Sequence, residues 1–237
     1  MSLFRSIVFA SVLVGLIVGV AVSAAQFLGT SQLILKAEVY EKAVETSGQH
    51  AAASSKDHSA LAVHAHEAEA WEPADGFERR AYTVVTNVLT AIGYALVLTG
   101  IIAIRGKPVT WREGLLWGLA GFACVVLAPI FGLPPELPGT PSAPLPNRQI
   151  WWIGTAFATA ASIGLAVFVR KPWAVVAAVV LVAIPHLIGA PAAPDGAHAL
   201  APEALEREFI EHAVLTSLVF WLLLGSLSGT LLSRFET

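Results

Sequence analysis

Sulfur is almost missing from this 237-residue chain: it has one cysteine, Cys124, and one methionine, Met1. A lone cysteine excludes a disulfide framework and a thiolate cluster. A route for copper(I) would need soft sulfur ligands, so any metal handled here is one served by nitrogen and oxygen, such as nickel, cobalt or zinc. Charge is also scarce. Asp, Glu, Lys and Arg make up 13% of the residues, against about 25% in a soluble domain. The basic residues are too few and too scattered for a nucleic-acid interface. No HExxH, GxSxG or CxxC motif occurs. The nearest approach to a phosphate loop, Arg105-Gly106-Lys107-Pro108, lacks the upstream glycine and has proline where Ser or Thr is needed. The expectation is a protein that is not an enzyme.

What the chain does have is long apolar runs, at 6–28, 82–104, 114–132, 150–169, 173–190 and 212–232, with no Asp, Glu, Lys or Arg in their interiors. About 20 such residues cross the hydrocarbon of a bilayer as a helix. The short alternating segments of a membrane β-barrel are missing. The fold class is therefore all-α: a polytopic membrane bundle of six transmembrane helices forming a single integral domain, 1–237, in contact with lipid. The first run has a second reading. Val22-Ser23-Ala24 before Ala25 resembles a signal cleavage site, which would leave five helices. Its apolar stretch exceeds the usual 7–15 residues of a signal sequence, which favours an uncleaved anchor.

Charge sets the orientation. Alternate connections carry Arg5, then Arg105, Lys107 and Arg112, then Arg170 and Lys171, then Arg234. Short basic loops stay in the cytoplasm, so both termini are predicted to be cytoplasmic and the chain to sit in a cell inner membrane. All seven histidines fall on the outer side. So do all but two of the 17 acidic residues, the exceptions being Glu113 and Glu236. Imidazole and carboxylate bind borderline and hard divalent cations. An outer face so composed suits the gathering of metal ions.

Two outer segments stand out. Residues 31–45 are read as a polar extension of the first helix, and 46–75 as a flexible loop holding His50, His58 and the His64-Ala-His66-Glu67 cluster. Residues 133–147 contain six prolines, which excludes regular structure and suggests a stiff cap. GxxxG pairs at Gly15–Gly19, Gly114–Gly118 and Gly225–Gly229 mark close helix approaches. Within the runs, Gln26, Thr86, Asn87, Thr90, Tyr94, Thr155, Thr159, Ser162, Thr216 and Ser217 are among the few polar groups. An amide oxygen such as that of Asn87 can ligate a cation, and interhelical hydrogen bonding is the other reading of it. The sharpest site is Pro185-His186, where a proline and an imidazole meet in the outer third of a helix. His212 opens the sixth run. An outer cation site is expected from His186 and His212 with an outer carboxylate such as Glu38 or Glu136, fed by His64 and His66.

The segments Glu38-Val-Tyr-Glu41, Trp71-Glu-Pro-Ala-Asp-Gly76, Gly132-Leu-Pro-Pro-Glu-Leu-Pro-Gly139, Arg148-Gln-Ile-Trp-Trp152 and Pro185-His-Leu-Ile-Gly-Ala-Pro191 resemble the CbtA family of predicted cobalt transporter subunits. The resemblance runs over essentially the whole chain. It implies the larger membrane subunit of a cobalt uptake system serving cobalamin synthesis. It also implies a CbtB-like partner, a small single-helix, histidine-bearing membrane subunit. Cobalt is then the transported substrate, with nickel or another divalent metal as alternatives. Competing readings are a non-transporting structural or assembly subunit, and a haem protein using His186 and His212 as axial ligands.

Overall fold

The computed structural model describes residues 3–54 and 73–235. All regular structure among the described residues is helical, in seven elements: α1 (Leu3–Leu28), α2 (Thr30–Ser54), α3 (Phe77–Ile104), α4 (Trp111–Ile130), α5 (Leu145–Phe168), α6 (Pro172–Ile188) and α7 (Glu203–Phe235). Five of them, α1, α3, α4, α5 and α7, are long and apolar enough to cross a membrane. The sixth expected span, α6, is a shorter apolar helix of 17 residues. At 1.5 Å per residue it covers about 26 Å, near the lower limit for spanning.

Four helices make the core. α1 packs along α3, α4 packs along α7, and the two pairs meet through α1 and α7. Val14, Val18, Ala91, Ala95, Ile102, Leu224 and Leu232 are sealed between them. The segment that carried the signal-peptide alternative is thus the centre of the bundle. Glycines permit the closest approaches. A Cβ on Gly19 would come within 2.5 Å of the Val88 Cα, and one on Gly229 within 2.7 Å of the Thr110 carbonyl oxygen. Gly114 and Gly118 of α4 face Gly225 and Gly229 of α7 without intervening side chains. Lipid does not drive apolar helices together, so this backbone contact holds the pair.

The α5–α6 hairpin leans on the core through α4. Its interface uses small and hydroxyl residues: the Ser162 Oγ donates to the Ala178 carbonyl at 2.7 Å, and the Trp151 Nε1 donates to the Pro185 carbonyl at 3.1 Å. α4 has a π-helical turn at Ala123–Leu127, closed by Ala128 N–H bonding to Ala123 O. Pro129 explains it. Proline has no N–H to give the carbonyl four residues back, so the turn before it widens. Glu113, one of two acids on the basic face, also has a local cause. It completes a capping box with Thr110 at the start of α4 and lies 3.7 Å from Arg105.

Two expectations change at the acidic end. The polar extension is a separate helix, α2, broken from α1 at Gly29. It runs on to Ser54, so the first part of the expected 46–75 loop is helical. His58, His64 and His66 lie outside the described residues. The proline-rich segment is non-helical from 132 to 144, but 145–147, expected to lack regular structure, open α5 with Pro146 in its first turn, where a missing N–H costs nothing. The rest is pinned down: Leu137 is buried with Leu33 and Ala37 of α2, Ala201, and Phe209 of α7. The Leu200 N–H donates to the Gly139 carbonyl at 3.3 Å.

Candidate functional site

A cavity of about 820 Å³ lies between α1, the first turns of α2 (residues 30–35), α3, the π-helical turn of α4, and α7. Its wall on α3 is, apart from Arg80, one stripe: Arg79, Thr83, Asn87, Thr90 and Tyr94. Their spacings of four, four, three and four residues keep them on one helical face. The next face over carries Ala91, Ala95, Leu98 and Ile102 into the core. α7 presents Phe209, Ala213, Thr216, Ser217 and Phe220 at similar spacing, and α1 contributes Val22 and Gln26. Asp75, Gly76, Arg79 and Arg80 border the cavity at the acidic end. At its inner limit Tyr94 meets Trp221 and Phe220 edge-on, with ring centroids 5.0 and 6.0 Å apart. The cavity opens toward the acidic end and closes on an aromatic floor.

Several hydroxyls of the bundle are paired, Thr83 of the lining among them, its Oγ1 donating to the Arg79 carbonyl at 2.9 Å, while the buried Ser228 Oγ on α7, away from the cavity, has no partner among the described residues. Thr155 and Thr159 on α5 donate to carbonyls of their own helix at 2.8 Å, and the Ser11 and Thr99 hydroxyls pair at 2.9 Å below the floor. Asn87 spends its Nδ2 on the Ser23 Oγ at 2.9 Å and the Gln26 Oε1 at 2.6 Å, tying α3 to α1. Its Oδ1 has no hydrogen-bond partner among the described residues, nor do the hydroxyls of Thr90, Thr216 and Ser217. An unpaired polar group in an apolar setting costs about 1–3 kcal/mol by protein mutational data. Here Asn87, Thr216 and Ser217 are half-buried and Thr90 is exposed, so the four groups face an open space large enough to admit many waters.

The mouth is guarded by an ion pair. The Arg79 guanidinium holds Glu38 of α2 with both terminal nitrogens, one at 3.1 Å and the other closer, and reaches Asp75 at 3.3 Å. Glu38 is therefore occupied by a cation of the protein itself. Glu136 is occupied likewise, by Arg148 at 2.7 Å, beside a second cavity of about 710 Å³ between α4, the proline-rich segment and α5. Val125 and Val126 of the π-helical turn line both cavities.

The two histidines expected to share a site sit on different parts of the molecule. His186 is exposed on α6, edge-on to Trp151 at 5.8 Å and Phe131 at 6.4 Å. His212 is on α7, bonded through Nδ1 to the Glu208 carbonyl oxygen at 2.9 Å. Its ring lies over Gly29, where an added Cβ would come within 3.1 Å. α6 packs on α5 rather than on α7. No group of three His, Cys, Asp or Glu side chains able to hold a metal occurs among the described residues. Residue type alone does not reveal the stripe on α3. Asn87, Thr90 and Tyr94 stood out as polar groups, but the signal that joins them to Arg79 and Thr83 is their period.

Five long apolar helices and one shorter one, packed as a bundle, define a multi-pass membrane protein. Its family is given by comparison: the family model CbtA, probable cobalt transporter subunit, matches residues 4–233, and the chain belongs to that family. No curated protein and no solved structure matches it. The chain is thus a membrane metal-transport subunit.

Proposed function

We propose that this chain carries cobalt inward across a cell inner membrane through the cavity between α1, α3, α4 and α7. The observation that carries the reading is the set of unpaired oxygens, on Asn87, Thr90, Thr216 and Ser217, turned to one open space inside the bundle. The basic connections at Arg105, Lys107, Arg112, Arg170 and Lys171 support a cytoplasmic position for that end and for both termini. The acidic end, where the cavity opens, then faces outward. Ions are gathered there by the imidazoles of His64, His66, His186 and His212 and by the field of the surrounding carboxylates. Glu38 and Glu136 contribute through their ion pairs, Glu38 by neutralising Arg79 at the mouth. The family description as a subunit supports a partner, and a CbtB-like single-helix protein bearing histidines suits the role. Cobalt is the substrate, with nickel as the nearest chemical alternative.

Radiolabelled cobalt uptake by cells expressing the chain with its partner tests this. Asn87→Leu replaces the unpaired amide oxygen with an apolar side chain and removes the tie to α1, and uptake should be lost while the protein remains inserted. His186→Ala and His212→Ala should each raise the cobalt concentration needed for half-maximal uptake. Normal uptake by an inserted Asn87→Leu protein overturns the cavity as the route.

A further inference from the structure

Resting on the reading of the cavity as the route, we infer that the ion crosses it with its first-shell waters retained, so that recognition there is outer-sphere. The lining residues settle the chemistry. Below the mouth, Gln26, Asn87, Thr90, Thr216 and Ser217 provide only neutral oxygen and amide groups, and the one anionic side chain along the wall, Asp75, belongs to the mouth, where Arg79 holds it at 3.3 Å. Inner-sphere capture of a borderline divalent ion calls for imidazole, thiolate or carboxylate, and none lines the wall between the mouth and the floor. Exchanging six waters for a few neutral oxygens would leave the ion under-coordinated.

The aqua ion fits instead. Six waters at about 30 Å³ each occupy roughly 180 Å³, well within the cavity of about 820 Å³. Coordinated water presents O–H donors outward. The groups that face it are acceptors without protein partners: the Asn87 Oδ1 and the hydroxyl oxygens of Thr90, Thr216 and Ser217. Donors outside thus meet acceptors where α3 and α7 face the space, much of the rest of the wall being apolar and Arg79 and Arg80 standing at the mouth. A cavity of this kind sorts ions by charge and hydrated size and not by ligand preference. Discrimination between cobalt and nickel then resides in the imidazoles of the outer face or in the partner.

Hexaamminecobalt(III) is the probe. It is an octahedral cation of similar size with N–H donors outward, and its ligands do not exchange on the timescale of uptake. It should inhibit cobalt uptake by cells carrying the full chain and its partner, competitively. Thr216→Val, which keeps side-chain shape and deletes one acceptor, should raise the KM for cobalt and the inhibition constant of the complex together, by roughly tenfold for one hydrogen bond to a charged species. No inhibition, with cobalt uptake still sensitive to Asn87→Leu, overturns outer-sphere passage and leaves the cavity as the route. Inhibition that Thr216→Val does not weaken, while the KM for cobalt rises, places the complex at the mouth and also overturns the inference. If neither constant moves and Asn87→Leu transports normally, the route itself falls and the inference with it.

Discussion

Replacing Gly225 by alanine adds a single methyl group to one of the tightest helix contacts in the bundle. The new Cβ would stand 2.7 Å from both the Cα and the N of Gly118, and closer still to the Gly114 carbonyl oxygen. Ordinary contact begins near 3.4 Å, so α4 and α7 must separate by about 1 Å. A gap of 0.5–1 Å forfeits about a quarter to a half of each dispersion contact along the interface, and overpacking of this kind costs about 1–3 kcal/mol. Alanine also returns about 1 kcal/mol of helix propensity, which would mask part of the loss. Gly93→Ala isolates that gain. A Cβ at Gly93, on the exposed side of α3, meets nothing within 4 Å, so this variant receives the propensity without the clash. The difference between the two variants is then the clash itself, about 1–3 kcal/mol. For a chain of this size each kcal/mol moves the midpoint by about 2–4 °C. Thermal unfolding of the two variants in the same detergent should show Gly225→Ala melting below wild type or near it, and Gly93→Ala melting at or above it. Equal midpoints for the two variants would refute the glycine seam as the element that locks α4 to α7. Uptake should fall in Gly225→Ala as well, because Trp221 of the cavity floor packs its carbonyl against Gly118 and its ring against Gly121.

Two further outcomes are expected. Cysteines introduced at Lys107 and at Thr140, in a background with Cys124 replaced by alanine, should react with an impermeant maleimide from opposite sides of the membrane; labelling of both from outside contradicts the orientation. Glu38→Gln frees Arg79 from its bidentate partner and leaves a guanidinium at the mouth with Asp75 alone. Cobalt uptake should decrease, and Arg79→Gln added to the same chain should restore it; an unimpaired single variant means that Arg79 is no barrier to the ion.

The membrane class, the helical fold and the positions of the spans were legible in the sequence because a bilayer imposes one rule on any chain that crosses it. Each crossing must satisfy its own backbone hydrogen bonds over about 30 Å of hydrocarbon, and runs such as 82–104 and 212–232 can do that only as helices. The GxxxG pairs were equally local signals, and each of them sits at a close helix approach. The residues with metal chemistry could also be recognised by type, since imidazole and carboxylate are rare in such a chain. Their neighbours could not. Whether Glu38 meets an ion or Arg79, whether Glu136 meets an ion or Arg148, and whether His186 meets His212 or the rings of Trp151 and Phe131 depends on which helices pack together. That choice is made by contacts between residues far apart in the chain: Gly114 against Gly225, Gly19 against Val88, Ser162 against Ala178. The cavity is a product of the same choice. Its oxygens were present in the sequence as isolated polar residues, and only the pairing of α3 with α1 and of α4 with α7 turns them toward one space.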